Sequence, residues 1–412
     1  MNLSTDNPKK DTKYDLIKIL FVLFIPYIAL SIGQNGFLGL LPFVREEFVL
    51  SRVQIGYYST SFFIGAALIS VFTGIIVDKI GPKKGMLLGI GLLGAFLLIH
   101  GLSPTYNFLL LMGFLAGFGF SLITPSVTKA VILTTIREKR AISMGFTQTG
   151  FGIGGMVGAS FLPFLGNILG WRITVLLTAV FILLIGPLIF KLYQEKNYIK
   201  NIVDIPENQG EKRSSFRYHI LSLIKNKSLF RLCVLGIIFG ISEGSTLSHF
   251  VVFLSEDLNM TKVMAGVGFA TLHLGGMIGL IICGSFSDRF YQTDRRKSLF
   301  IIEFSTGIVF LFIGLLLIHP SMSLTVVFIL SFILGFFVLG WPGVYLTSVG
   351  EFAGSNKAGL ATGFALLMIR IGMLLSPTIF GYIADIKSHY QYSWLFFGLL
   401  ITFSSLFFLK VS

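Results

Sequence analysis

Residues 51–79 decide the fold of this chain, and they read SRVQIGYYSTSFFIGAALISVFTGIIVDK. The stretch returns without a gap as residues 261–289, TKVMAGVGFATLHLGGMIGLIICGSFSDR, at a constant offset of 210 residues. Each copy is an apolar segment with regularly placed glycines, and it ends in an acid followed by a base. A gapless copy of this length predicts that the chain is an internal duplication. The residues that match include Gly56 and Gly266, Gly65 and Gly275, Gly74 and Gly284, Asp78 and Asp288, and Lys79 and Arg289.

The composition around these copies is that of a membrane protein. Hydrophobic residues make up 54% of the chain and charged residues only 12%, which is more apolar surface than a soluble domain of this length can bury. Apolar runs of about 20 residues recur, and each is long enough to cross the hydrocarbon core as a helix. The alternating pattern of a membrane β-barrel is missing. We therefore predict an all-α integral membrane protein.

The apolar runs predict twelve transmembrane helices in two sets of six, one set for each copy of the duplicated stretch. A cytoplasmic tail of residues 1–16 precedes a six-helix bundle at 17–192, and a polar, basic linker at 193–228 leads to a second bundle at 229–412. The predicted spans are 17–43, 53–77, 85–101, 106–130, 141–165 and 172–192, followed by 229–254, 263–287, 298–318, 323–349, 358–383 and 393–410.

The net charge of +13 comes from basic residues that collect on one side of the predicted membrane. Of the 32 Lys and Arg residues, 25 fall on the side of the two termini and 5 on the other, while Lys129 and Arg370 lie within spans. This bias predicts an inner or plasma membrane protein with both termini in the cytoplasm. The charge therefore requires no nucleic-acid partner. Cys233 and Cys283 both lie in apolar runs, so no disulfide framework is expected.

A sequence signature follows the first copy, where residues 74–84 read GIIVDKIGPKK. It resembles the G-x-L-A-D-R-x-G-R-K signature of the major facilitator superfamily, with Lys79 in place of the first Arg and Pro82 in place of the second. The second copy, from Gly284 to Arg289, is a looser match followed by a longer loop. With the duplication and the twelve predicted spans, the chain is identified as a member of that superfamily. The resemblance implies its fold of two pseudo-symmetric six-helix bundles.

The resemblance also implies a conformational latch at this signature. A carboxylate at a helix end can interact with the positive N-terminus of another helix. In the superfamily, the signature Asp is thought to hold the inner ends of the two halves together when the transporter faces outward. The match implies this role for Asp78, with the helix that starts near Asn356 as its partner; a plain basic turn is the alternative. The residues assigned to the latch are Gly74, Asp78, Lys79, Gly81, Lys83, Asp288 and Arg289.

Ionisable residues inside the predicted spans occur where the two halves differ. Arg370 lies near the bilayer midplane and corresponds to Gly152 at an offset of 218, and Glu243 corresponds to Gly33 at the offset of 210. Glu243 is the only acid that we place close to the midplane. An arginine at that depth costs at least about 2.5–3.5 kcal/mol on insertion scales. We therefore expect Arg370 to face a polar cavity or a partner.

A polar stripe on the span 229–254 is expected to line this cavity, because its polar residues fall within about 160° of the helix surface. Arg370 would hold an anionic solute by a forked contact, and Glu243 or a histidine would carry a coupling proton. In the alternative interpretation, Glu243 and Arg370 form a structural ion pair and the histidines only bridge helices. The predicted substrate-binding residues are Arg370, His273, Asn35, Gln34, Gln148 and His249.

These features predict a secondary active transporter that moves a small anionic organic solute by alternating access, coupled to protons. One alternative is proton-driven export of cationic or amphipathic compounds, and another is a membrane sensor that has lost transport. An enzyme is not predicted, because no nucleotide-binding cassette, metal cluster or nucleophile motif is found. No cofactor or metal is expected, and we expect a monomer in the lipid bilayer.

Overall fold

The computed structural model describes residues 8–135, 140–193, 227–291, 294–316, 323–353 and 358–411. These ranges are built from helices, without a strand. The N-terminal half contains α1 (Pro8–Ser31), a π-helical turn (Ile32–Gly36), α2 (Phe37–Phe48), α3 (Arg52–Gly101), α4 (Tyr106–Thr134), α5 (Arg140–Leu169) and α6 (Trp171–Leu192). The C-terminal half contains α7 (Lys227–Glu256), α8 (Lys262–Phe290), α9 (Arg295–Leu316), α10 (Leu324–Val338), α11 (Pro342–Ala353), α12 (Ala358–Lys387) and α13 (Gln391–Val411).

The predicted membrane fold is confirmed. Within the described ranges, ten helical segments are long and apolar enough to cross a membrane. The two other predicted spans, 53–77 and 393–410, lie in the first part of α3 and in α13. Most of the predicted linker, residues 194–226, lies outside the described residues, so the proposed domain boundary there stays a prediction.

The duplicated stretch begins both of its helices in the same way. The Ser51 side chain accepts the Gln54 N–H (3.3 Å), and the Gln54 side chain accepts the Ser51 N–H (2.8 Å). This capping box satisfies two backbone donors at the start of α3. At the equivalent position of α8, the Thr261 hydroxyl accepts the Met264 N–H at 3.2 Å. Residues 51 and 261 are thus both N-caps, and equivalent helices begin at equivalent residues.

The signature turn forms a sharp bend inside α3. Gly81 has φ 82° and ψ 160°, which breaks the helical path between the predicted spans 53–77 and 85–101. Side chains other than glycine rarely adopt this region, so the glycine of the signature is a conformational requirement. Pro82 follows and starts the next helical segment, where its missing N–H is tolerated. The signature therefore sets the angle between two consecutive spans.

One predicted span is divided in the structure. Residues 323–349 were expected to form a continuous helix, but α10 ends at Val338 and α11 starts at Pro342. Pro342 occupies a first helical position, where its fixed φ is favourable. The break carries Trp341, which is buried and stacks on Phe239 of α7 with ring centroids 4.7 Å apart.

The two halves meet along equivalent helices, α3 with α12 and α5 with α8. A Cβ on Gly56 would overlap the carbonyl of Pro377, and a Cβ on Gly266 would overlap the carbonyl of Ala159. These two contacts are related by the duplication at both partners. Small residues at such crossings allow the helix backbones to approach closely. The duplicated pair Gly56 and Gly266 therefore marks two points where the halves are in contact.

The halves separate at the opposite end of these helices. Gly74 lies 18 residues after Gly56, about five helical turns, so both glycines lie on the same face of α3. No atom lies within 4 Å of the position that a Cβ on Gly74 would take, and the same holds for its equivalent Gly284. We call the end that carries Arg52 and Asp385 the closed end. The end that carries Asp78 and Asp288 is the open end.

Candidate functional site

Arg370 lies on α12 and reaches across to the other half of the protein. Its Nη1 donates to the carbonyl of Ala66 on α3 at 3.4 Å. In the part of the chain that the structure describes, Arg370 has no ion-pair partner. Its other guanidinium nitrogens are not fully buried and donate no hydrogen bond there. The guanidinium therefore keeps donors that a solute can use.

Glu243 lies on α7 at the same level as Arg370. A Cβ on Gly240 would overlap the carbonyl of Ile369, and one on Gly244 would stand 2.7 Å from the Met373 Cα. These close approaches place the turn of α7 that carries Glu243 beside the turn of α12 that carries Arg370. Among the described residues, Glu243 has neither an ion pair nor a hydrogen bond. The ion pair between Glu243 and Arg370 is therefore not formed in this conformation.

His273 fills a position between the halves. Its ring is 2% exposed and packs against Gly155 of α5, where an added Cβ would stand 2.8 Å from Cε1 and Nδ1. Phe269 contacts the same ring edge-to-face, with centroids 4.8 Å apart. Nε2 is buried without a partner. Because buried polar atoms are ordinarily hydrogen-bonded, this unpaired nitrogen marks His273 as a candidate contact.

His249 has a different environment, because both of its ring nitrogens are engaged. Nε2 lies 2.7 Å from the carbonyl of Pro377, and Nδ1 lies 3.1 Å from the hydroxyl of Tyr390. Since the carbonyl can only accept, Nε2 carries the proton and Nδ1 accepts from Tyr390. The ring also stacks on Phe380 at 5.4 Å. In this conformation His249 has no free ring nitrogen for a solute. These contacts fit the alternative interpretation, in which the histidine only bridges helices.

The predicted contributors from the N-terminal half lie on the π-helical turn and on α5. Gln34 and Asn35 are buried, and the Asn35 Nδ2 donates to the Ser31 hydroxyl at 2.9 Å. The side-chain carbonyl oxygens of Gln34 and Asn35 have no partner. π-Helical turns occur frequently at functional sites. Gln148 lies on α5 and is exposed.

The π-helical turn and the turn that carries Glu243 are equivalent under the duplication. An offset of 210 aligns residues 32–36 with residues 242–246. The first segment has the unpaired oxygens of Gln34 and Asn35, and the second has the carboxylate of Glu243 and the unpaired hydroxyl of Thr246. Polar groups therefore collect at the same depth in both halves.

Glu303 on α9 is a buried acid that the sequence reasoning missed. It is 1% exposed, and neither carboxylate oxygen has a partner. Glu303 lies five residues into the predicted span 298–318, nearer its end than its middle, so the placement of Glu243 as the only acid close to the midplane stays a prediction. A glutamate inside the apolar run 298–318 was a visible signal. The helix packs against α13, where an added Cβ on Gly307 would meet Thr402.

The predicted latch residues lie at the open end and contact their own halves. Asp78 pairs with Lys129 of α4 (2.8 Å), and Lys129 also donates to the carbonyl of Val77 (3.3 Å). The expected partner near Asn356 lies outside the described residues. Lys83 stands over the ring of Phe190, 4.3 Å from its centroid.

The second copy of the latch shows the same arrangement. Arg295 pairs with Asp288 at 2.5 Å and with Glu351 at 2.9 Å, all within the C-terminal half. Arg289 lies over Phe290, 5.6 Å from the ring centroid. In the described chain, both signature acids are therefore neutralised within their own halves.

Solved structures share this architecture. The chain superposes on a bacterial homologue of the human lysosomal transporter Spinster, captured in an inward-facing, unoccupied conformation, with a TM-score of 0.75. The match covers 96% of this chain and 95% of that chain at 15% sequence identity.

The family model of the Major Facilitator Superfamily matches residues 23–302 and 232–412. The chain is 22% identical to the hexuronate transporter of Bacillus subtilis (strain 168) over 400 residues, which cover 95% of this chain and 93% of that protein. It is also 23% identical to the membrane sensor protein UhpC of Salmonella typhimurium (strain LT2) over 391 residues, or 91% of this chain and 87% of that protein. The chain therefore belongs to the Major Facilitator Superfamily, as a multi-pass membrane transporter of small molecules rather than an enzyme.

Proposed function

We propose that this transporter moves a small organic anion by alternating access, with protons as the coupling ion. The observation that carries the proposal is the state of Arg370. Its charge lies inside a membrane span, and it has no ion-pair partner among the described residues. A charge at this depth requires a counter-charge or water. A solute that brings its own carboxylate would supply that counter-charge.

The position of Arg370 between the halves supports a role in transport. It belongs to α12, and its donor group lies against Ala66 on α3. A solute held there would touch both halves, as a site at the centre of an alternating-access cycle requires. The forked guanidinium matches a carboxylate with two parallel hydrogen bonds, which a lysine cannot reproduce.

Glu243 is the proposed proton carrier. It lies on α7, the helix that packs directly against α12, at the same level as Arg370. It has no hydrogen-bond or ion-pair partner in the described chain. An unpaired carboxyl group can take up and release a proton without breaking a protein ion pair. His273, with its unpaired Nε2 between the halves, is the proposed second solute contact together with Gln34, Asn35 and Gln148.

The relatives support both an anionic solute and one alternative. The name of the Bacillus subtilis relative specifies hexuronate, an acidic sugar. The name of the Salmonella relative specifies a membrane sensor, which favours the alternative of a protein that binds a solute without moving it. With the predicted cytoplasmic position of both termini, the open end would face the cytoplasm. The structure would then describe an inward-facing state.

Uptake of radiolabelled glucuronate into proteoliposomes tests the anion site. We expect Arg370→Ala to lower uptake by about tenfold to a hundredfold, because hydrogen bonds to charged groups contribute about 1.5–3 kcal/mol. Arg370→Lys should restore only part of it. Lys387→Ala, an exposed cation at the end of the same helix, serves as the control and should leave uptake unchanged.

Three outcomes separate the possibilities. Uptake that is unchanged in Arg370→Ala would remove the anion anchor. Binding of glucuronate without uptake or exchange in the wild-type protein would support the sensor. Uptake of organic cations in preference to glucuronate, with dependence on Glu243, would support the exporter.

A further inference from the structure

An acidic side chain of one half caps the start of a helix of the other half, α3, at the closed end. The Asp385 carboxylate, near the end of α12, accepts the N–H of Arg52 on Oδ1 and the N–H of Val53 on Oδ2, each at 2.8 Å. Arg52 and Val53 begin α3, so these N–H groups have no acceptor within their own helix. A carboxylate at this position also interacts favourably with the helix dipole. Asp385 therefore bonds to the opposite half through two backbone donors.

The same two helices carry both acids that can join the halves by such a contact. α3 starts at the closed end and carries Asp78 at the open end, while α12 starts at the open end and carries Asp385 at the closed end. In this conformation Asp385 is bonded across the halves, and Asp78 is paired with Lys129 within its own half. One contact is thus formed while the other acid is held elsewhere.

Ion pairs related by the duplication reinforce the closed end. The Arg52 guanidinium pairs with Glu256 at 3.1 Å, and Lys262 pairs with Glu46. Lys262 is the equivalent of Arg52, and Glu256 is the equivalent of Glu46, so the two pairs are images of each other. Glu256 also pairs with Arg45. Arg45, Glu46, Glu256 and Lys262 line a cavity of about 320 Å³, so water can reach these four side chains.

A second acid supports the same contact from within the C-terminal half. Asp257 accepts the N–H of Tyr390 at 2.7 Å and lies 3.7 Å from the Arg52 guanidinium. Arg52 in turn stands over the Tyr390 ring, 5.2 Å from its centroid. Burial raises the pKa of Asp257, while the Tyr390 hydrogen bond and Arg52 act in the opposite direction. Arg52 is therefore held on several sides by the opposite half.

The cap itself has no charged image. At the offset of 218 that relates α5 to α12, Asp385 corresponds to Asn167. Asn167 is exposed near the end of α5. The charged cap is thus specific to the pair of α3 and α12, and Asn167 offers a matched control.

We propose that Asp385 is a second conformational latch, which stabilises the state closed at its own end and acts in opposition to Asp78 at the other end. This inference rests on the proposed alternating-access function. Opening of the closed end breaks both hydrogen bonds to α3 together with the two equivalent ion pairs. Closing of the open end allows Asp78 to leave Lys129.

The test measures conformation in purified protein and does not depend on the solute. A reporter cysteine replaces Thr60, whose hydroxyl bonds to the Leu374 carbonyl (2.7 Å) across the halves near the closed end, in a background without Cys233 and Cys283. We expect Asp385→Ala to raise the rate of maleimide labelling by roughly threefold or more, the scale of a carboxylate at a helix N-terminus. Asp385→Asn should have a smaller effect, because its amide oxygen can still accept one N–H.

Opposite and neutral variants complete the test. Asp78→Asn should lower the labelling rate, and Asn167→Ala should leave it unchanged. Labelling of Asp385→Ala at the parental rate, or a change in the same direction as that of Asp78→Asn, would overturn the latch. If Asp385→Ala does not fold, Asp385→Asn is compared instead, with a smaller expected rise in the labelling rate. If the wild-type protein does not transport glucuronate but the variants show these labelling shifts, the proposed solute is wrong and the latch stands.

Discussion

Arg370 and Glu243 lie on neighbouring helices at one level of the membrane, and each keeps its charged group away from the other. An ion pair between them would satisfy both, and breaking a buried pair is strongly unfavourable. Their separation leaves each group available for a different ligand. The guanidinium can meet a carboxylate while the carboxyl group exchanges a proton. This arrangement is the chemical basis of coupled transport in our proposal.

The proton role of Glu243 leads to a prediction at the level of one atom. Glu243→Gln keeps the size of the side chain but cannot exchange a proton. We expect exchange of glucuronate between the two sides to continue, while glucuronate-driven proton uptake, followed with a pH-sensitive dye in proteoliposomes, is lost. Glu303→Gln is the matched control, because it alters another unpaired buried acid on α9. Loss of proton uptake in Glu303→Gln alone would assign the carrier to α9.

Comparison of the two copies singles out Arg370 and Glu243, because a charge where the other half has glycine is visible in the sequence, and their roles stay predictions. It could not show that His249 is engaged on both nitrogens, since Tyr390 and Pro377 are distant along the chain. It also could not show the π-helical turn. The residues IGQNG give the same apolar and polar pattern in an α-helix and in a π-helix, and the difference lies only in the hydrogen-bond register.

Among the elements, α3 depends on one backbone conformation. Gly81→Ala places a side chain at φ 82°, and we expect it to lower the thermal unfolding temperature, because such a position destabilises alanine by roughly 1 kcal/mol or more. Gly91→Ala in the same helix is the control, since no atom lies within 4 Å of its added Cβ. Thermal unfolding of the purified variants measures both. Equal unfolding temperatures would show that the bend imposes no such requirement.

The break between α10 and α11 could not be read from hydrophobicity, because the apolar run continues through it. Gly340 and Pro342 were the available signals, but a proline inside a membrane helix is often accommodated by a bend. In the structure, Trp341 lies between them, stacked on Phe239 and edge-to-face with Tyr345. Tertiary packing of an aromatic side chain therefore accompanies the end of α10.

In the whole molecule, the glycines on one face of α3 distinguish the two ends. Gly56→Ala would place a methyl group against the Pro377 carbonyl, so we expect it to favour opening of the closed end. Gly74→Ala meets no atom in this conformation but would hinder closing of the open end. Pulsed electron paramagnetic resonance between spin labels on α3 and α12, with one pair at each end, measures both changes. Shifts of the two variants in the same direction would contradict this assignment.

The duplication predicted the two bundles, because a repeated sequence folds into a repeated unit. The duplicated sequence does not predict which end of the molecule is closed. Residues 52 and 262 carry the same sign of charge and 46 and 256 the opposite sign, yet only the structure shows that they pair across the halves. That choice depends on the conformational state, and both states share one sequence.

The reciprocal ion pairs have a consequence for the symmetry of the molecule. Arg52 with Glu256 and Lys262 with Glu46 form the kind of contact that two identical subunits make across a twofold axis, where residue i meets j and j meets i. A single six-helix protein with a base at the position of Arg52 and Lys262, and an acid at the position of Glu46 and Glu256, would form both pairs as a homodimer. The interface at this end therefore has the reciprocal geometry of an isologous contact, although it is formed within one chain. Asp385, opposite Asn167, is a departure from that symmetry, and fusion into one chain is what allows the two sides to differ.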